Sequence, residues 1–262
     1  ADGSADTRRE LASFGQRLDG IIAGVLVHEG EAWVTNVPSV YHLSDGDADG
    51  VPEVLETLST GYGVKTSLQG HDLHGLAWGP DGRIYFSVGD RGYHVRLPDG
   101  RALVPPLGPG RGAVFRMQPD GSELEVFATG FRNPQELAFD DHGNLFTGEN
   151  NADGGDAARI VYVVEGGDSG WAMPYQDLAG DYLRGPWNAE RHWETAHATQ
   201  PAWIVPPIAH LANGPAGLAH YPGLGLPERY ANHFFLADYR YQRAISQVWS
   251  FALEPAGAGF RL

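Results

Sequence analysis

The chain has 262 residues, 42% hydrophobic and 11% aromatic against 19% charged, which excludes a disordered or coiled-coil chain and allows a sizeable core. Its net charge of −15 repels polyphosphate and anionic membranes, and the lack of cysteine removes disulfides, thiolate metal sites, a Cys nucleophile and thioether-bound haem. No apolar stretch approaches the roughly 20 residues of a spanning helix, so neither nucleic acid nor membrane insertion is expected of this chain.

In chain order, Asp6 to Arg17 is the best helix signal. Over the whole chain 36 Gly and 18 Pro punctuate strand-like runs, as in all-β architectures. One phrase recurs. Gly75-Leu-Ala-Trp-Gly-Pro-Asp-Gly-Arg-Ile-Tyr-Phe-Ser-Val-Gly-Asp90 is echoed by Glu136-Leu-Ala-Phe-Asp-Asp-His-Gly-Asn-Leu-Phe-Thr-Gly-Glu149. Each copy reads as strand, tight turn, strand, with Gly82 and Gly143 where positive φ is needed. Alternating Ile84, Phe86 and Val88, or Leu145 and Thr147, predict half-buried strands. Looser copies begin at Gly24 and Gly217, so the four starts are 51, 61 and 81 residues apart, suiting blades of about four strands with unequal insertions. Val114 to Met117 and Leu124 to Thr129, around Gln118-Pro-Asp-Gly121, read as an outer hairpin. Long loop insertions fall near 97–111 and 171–207. Val248 to Leu253 is a last strand, and the repeat ends unfinished, as in a truncated ring or one closed by the N-terminal strands. The expected fold is a single all-β domain over 1–262, a β-propeller of four-stranded blades.

Three constellations carry chemistry. Asp45, Asp47, Asp49 and Glu53, with Val51 offering a carbonyl, surround Gly46 and Gly50 in a tight loop whose oxygens can converge on Ca2+. The loop joins two strands rather than two helices, which favours Glu53 over Glu56, and the plain alternative is a solvated acidic turn. His71 and Asp90 stand at the start of one strand and the end of the next, where a hairpin pairs them as a base and its orienting carboxylate, or as a structural hydrogen bond. Arg132 and Asn133 precede a repeat strand, and the Asn/Asp/Gly run from Glu149 to Asp156 follows the next, so one end of the sheets collects groups for an anionic ligand and a cation. Such runs are also common turns.

These residues in this order resemble the soluble quinoprotein aldose dehydrogenases, six-bladed propellers of the glucose/sorbosone dehydrogenase family that use pyrroloquinoline quinone (PQQ) and calcium. His71 with Leu76, Gly79-Pro-Asp81 and Gly89-Asp90 resembles the segment that holds that family's catalytic His and its orienting Asp. Arg132-Asn-Pro-Gln135 matches the phrase whose Arg and Asn touch the quinone, and Gly170-Trp171 matches a family Gly-Trp. Where the family binds the cofactor's calcium with Gly-Pro carbonyls, this chain has Asn151 and Ala152; His74 and Gly75 replace a family Gly-Arg, and a later cationic contact falls at Arg240. Phrases such as Val163-Val-Glu-Gly-Gly-Asp-Ser-Gly-Trp171 resemble more closely the propeller of a group called membrane-bound dehydrogenases, often fused to a haem-binding cytochrome domain.

The resemblance implies an oxidoreductase, periplasmic or secreted, that oxidises a sugar or polyol by hydride transfer to PQQ. His71, Asp90 and Arg132 would be catalytic, Arg132, Asn133, Asn151, Ala152 and Arg240 would hold the cofactor, and a cytochrome-type acceptor would take the electrons. Two alternatives stand beside it. A calcium-dependent lactonase-like hydrolase would use Glu149, Asn150, Asn213 and Asp238, and a non-catalytic carbohydrate-binding propeller would use Trp171, Trp187 and Trp193.

Overall fold

The computed structural model describes residues 10–14, 20–47, 49–63, 70–106, 110–150, 158–171, 197 and 204–262. Strands β1 (Ile22–His28), β2 (Glu31–Asn36), β3 (Ser39–Ser44) and β4 (Val54–Thr60) form blade 1 as an antiparallel meander. Blade 2 opens with β5 (Leu73–Trp78) and β6 (Ile84–Val88), detours through a short hairpin of β7 (Val95–Arg96) and β8 (Ala102–Leu103), and closes with β9 (Gly112–Met117) and β10 (Glu125–Phe131). Blade 3 holds β11 (Pro134–Phe139), β12 (Leu145–Glu149), β13 (Arg159–Val163) and β14 (Ala209–His210). Blade 4 holds β15 (Pro215–His220), β16 (His233–Asp238) and β17 (Gln247–Ala252), with a 3-10 turn at Glu228–Tyr230; a hairpin of β18 (Glu254–Ala256) and β19 (Gly259–Arg261) follows. The first strands β1, β5, β11 and β15 pack in succession, as the inner strands of a β-propeller do.

The repeat phrase builds the same turn twice. Gly82 and Gly143 sit at φ +76° and +82°, each donating its N–H to the residue three positions back, Gly79 and Asp140. The expectation of half-buried strands is corrected: every residue of β6 and of β12 is buried. The cause is that an inner blade has a neighbour on both faces, so successive side chains enter different cores. Phe86 and Phe115 join Trp33, Tyr62 and Leu73 between blades 1 and 2. Their strand neighbours Tyr85 and Val114 face Leu137, Leu145 and Val161 between blades 2 and 3, and Phe146 and Ile160 face Leu218, Phe234 and Leu236 toward blade 4. By contrast β1 leaves Val25 and Val27 largely exposed.

Most of the helix expected over Asp6 to Arg17 lies outside the described residues; Glu10 to Phe14 are irregular, with Phe14 packed on Tyr41 at 5.0 Å between ring centres. The insertion near 97–111 contains the turn and second strand of the β7–β8 hairpin. Of the insertion near 171–207, Trp171, His197 and residues 204–207 are described. The segment before it runs along β10, with Ser169 and Trp171 donating to the carbonyls of Thr129 and Gly130. Among the described residues no helix is long and apolar enough to cross a membrane.

Candidate functional site

The β5–β6 pairing continues beyond both strands: Gly89 N–H donates to the Asp72 carbonyl at 2.9 Å and Arg91 N–H to the His71 carbonyl at 3.2 Å. That register sets His71 opposite Asp90, and His71 Nδ1–H donates to Asp90 Oδ1 at 2.8 Å with both residues 5% exposed. A carboxylate oxygen can only accept, so the proton between them is on Nδ1, and in the neutral ring the lone pair is on Nε2. Gly89 is required by crowding, because a Cβ there would lie 2.7 Å from the His71 carbonyl oxygen and 2.8 Å from Asn133 Oδ1. Asp90 N–H in turn donates to the Arg132 carbonyl at 2.7 Å, tying blade 2 to the start of blade 3.

There Arg132 and Asn133 lead into β11, and register places Glu149, the end of β12, opposite Pro134. Glu149 Oε1 accepts the N–H groups of Arg132 at 2.7 Å and Asn133 at 2.9 Å. Complete burial pushes the Glu149 carboxyl up, against the pull of Arg159 and those two N–H groups. The Arg132 guanidinium lies 5.8 Å from the centre of the Trp171 ring. His74, fully enclosed, meets Asn133 Oδ1 through Nε2 at 2.6 Å and has a backbone hydrogen bond to Gly70 as well, and burial lowers its pKa to about 4, so the ring is neutral.

Of these groups His71, Arg132 and Asn133 line a cavity of about 730 Å3, whose other walls include Asn150, Asn213, Tyr239, Arg240 and Tyr241. Arg240 is on the wall, yet its Nε donates to Asp238 Oδ2 at 2.7 Å. Burial opposes the Asp238 charge, but hydrogen bonds from the Gly214 and Asn213 N–H groups, Trp249 and Arg240 outweigh it and hold the carboxyl well below the usual range. Both Asp238 oxygens are thereby occupied, and of the lactonase-like set Glu149 Oε2 is the carboxylate oxygen left without a hydrogen bond. Trp171 is 2% exposed, with no open face for a sugar; Trp187 and Trp193 lie outside the described residues. So do Asn151 and Ala152. His71, Asp90, Arg132 and Asn133 therefore come together, with Arg240 on the same cavity.

Sequence reasoning missed two contributors. His74 acts on a residue 59 positions away, a pairing no local pattern announces. Tyr239 and Tyr241, 56% and 86% exposed with ring centres 5.4 Å apart, stand on the β16–β17 connection at the cavity wall. The Asp-Tyr-Arg-Tyr run there was the signal available.

The acidic loop lies elsewhere. Gly24 of β1 packs against Gly75 of β5, so the two inner strands run side by side, and alternation within blade 1 puts the β3–β4 loop at the end away from the cavity. One oxygen each of Asp45, Asp47, Asp49 and Glu53 fall within 4.8 Å of one another. Backbone amides also bond three of these carboxylates: Gly50 N–H donates to Asp45 at 2.7 Å, Val51 N–H to Asp49 at 2.7 Å and Gly46 N–H to Glu53 at 2.8 Å. Glu56 is on β4, opposite His42.

Quinoprotein glucose dehydrogenase B of Acinetobacter calcoaceticus is 30% identical over 139 residues, a match covering 44% of this chain and 29% of that protein's length. A Thermus thermophilus protein whose name includes the words glucose dehydrogenase shares the fold at a TM-score of 0.57 and 19% identity, over 92% of this chain and 68% of that one. A Trichoderma reesei protein of Carbohydrate-Active Enzymes Family AA12 does so at 0.53 and 12%, over 91% and 69%. The fold is thus that of the sugar-dehydrogenase-like propellers. The chain belongs to the family described as Domain of unknown function (DUF7133), whose model matches residues 1–260.

Proposed function

For a chain of this family we propose a quinoprotein-type oxidoreductase that oxidises a sugar or polyol hydroxyl by hydride transfer to PQQ. The observation that carries the reading is His71 on the wall of the large cavity, held from behind by the buried Asp90. With Nδ1–H held by Asp90, His71 Nε2 is the atom that takes the substrate hydroxyl proton, and the Asp90 charge stabilises the imidazolium that results. PQQ, when bound, supplies the hydride acceptor.

The residues present fit such a group. The cavity is within the range of small-molecule sites, and Asn133 Nδ2 is buried without a hydrogen-bond partner, a donor that suits a carbonyl or carboxylate of the cofactor. Arg132 would supply positive charge where negative charge grows on a reduced quinone, and Arg240 adds a second cation on the cavity wall. Asn151 and Ala152 would offer carbonyls to the calcium that seats the cofactor. A second calcium, with a structural role, would sit on Asp45, Asp47, Asp49, Glu53 and the Val51 carbonyl, at the far end of blade 1. The exposed rings of Tyr239 and Tyr241 offer faces to a sugar entering the cavity. A cytochrome-type partner would accept the electrons, in the periplasm or outside the cell.

Calorimetric titration of PQQ into metal-stripped protein, with calcium restored or withheld, tests the reading without a guess about substrate. Calcium-dependent tight binding is expected. Absence of binding under both conditions would remove the dehydrogenase assignment.

A further inference from the structure

Asn133 has four polar groups, and three are accounted for. Its N–H donates to Glu149 Oε1 at 2.9 Å, its carbonyl accepts from Asn150 N–H at 3.4 Å, and its side-chain oxygen accepts from His74 at 2.6 Å. The fourth, the Nδ2 amino group, is buried without a partner although Asn133 lines the cavity. A buried donor left unmade is costly, so a fold that keeps one beside a cavity keeps it for a ligand. An isolated Asn amide could turn over and present its oxygen instead. With its proton on Nε2, His74 opposes this, because the N–H then needs an acceptor and reversal would set N–H against N–H. The imidazole itself is 8% exposed, on the buried start of β5.

We propose that His74 is a positioning residue, which fixes the Asn133 amide with its oxygen turned to the imidazole and its NH2 presented to a carbonyl or carboxylate oxygen of the ligand in the cavity. The assignment rests on the cofactor reading for the ligand's identity, with a quinone carbonyl as the acceptor. It bears on the place where this chain departs from the pattern of the resembling dehydrogenases, since His74 stands at a family Gly.

Two measurements test it. In the cofactor-free protein, nitrogen-15 NMR of the imidazole should show His74 neutral at pH 7 with its proton on Nε2, and that resonance should shift in Asn133→Ala. A proton on Nδ1 instead, aimed toward the Gly70 carbonyl, would place the amide NH2 against the ring and overturn the proposal. In the second, PQQ titration should show His74→Leu weakening affinity about tenfold, the size of one net hydrogen bond. His74→Gln, whose amide nitrogen stands where Nε2 stood, should restore most of the loss. In an Asn133→Ala background the His74→Leu change should cost less than about twofold more, because the two act through one contact. Additive losses would mean that His74 acts only on packing and would overturn the proposal. If the unaltered protein binds no PQQ, the cofactor reading and the quinone acceptor fall together, and the NMR result alone decides the His74–Asn133 arrangement.

Discussion

At the cavity, His71 and Asn133 and the carboxylates that hold them, Asp90 and Glu149, come from four separate stretches of chain and are each 5% exposed or less, whereas Asp45, Asp47, Asp49 and Glu53 come from one turn at the surface. The cavity groups are held by partners from other strands and cannot relax without moving a blade. The loop carboxylates are held by their own backbone, as turns rich in Asp and Gly commonly are. Preorganised buried donors and acceptors suit chemistry on a bound molecule, and a local turn with gathered oxygens suits an ion that stiffens a blade. The two regions should therefore respond independently to substitution.

The largest effect tests the cavity. His71→Gln should lower turnover by about 10²–10⁴-fold, the usual contribution of a positioned base, while PQQ affinity stays within about twofold. Turnover at the unaltered rate would eliminate the proposed base. The converse change tests the loop. Calcium added to stripped protein should raise the unfolding free energy by about 3 kcal/mol at a hundredfold excess over its dissociation constant, and Asp45→Asn should abolish much of that gain while leaving His71-dependent turnover intact when the cofactor site is loaded. Loss of the calcium gain in His71→Gln, read by thermal unfolding, would break the separation.

A smaller effect concerns Glu136, three residues along β11 from Asn133, whose Oε1 covers Gly75 so closely that a Cβ there would collide with it. Burial raises its pKa from 4.5 to about 7. Between those values the unfolded chain has released the proton and the folded one has kept it, so stability is full below about pH 4.5, falls as pH rises toward 7, and then levels off. The loss is on the order of 2 kcal/mol, and Glu136→Gln should remove it in urea titrations at pH 5 and pH 8. An unchanged pH dependence in that variant would place the charge in water rather than against blade 2. The smallest effect is at the rim. Tyr241→Ala should raise KM for a sugar by about three- to tenfold with little change in kcat, since an exposed ring adds binding rather than chemistry.

Much of this molecule is legible in its residues, and the exceptions share a cause. The four repeat starts mark the inner strands of the four blades among the described residues, because Gly in a tight turn and apolar alternation are local properties. The acidic loop is legible for the same reason. The burial of both faces of β6 is not, because alternation in Ile84, Phe86 and Val88 looks alike whether the other face meets water or another blade. His71 and Asp90 were within reach, being 19 residues apart across one hairpin.

By itself, then, the sequence determined the blade rhythm, the turns, the acidic loop and the His71–Asp90 hairpin, all set by neighbours in the chain. Only the tertiary structure decided that Glu149 binds the Arg132 and Asn133 amides, that Asp238 is consumed by its own surroundings, and that His74 grips Asn133 across 59 residues. Those contacts depend on which blade faces which, and a buried polar group takes whatever partner the neighbouring blade brings to it.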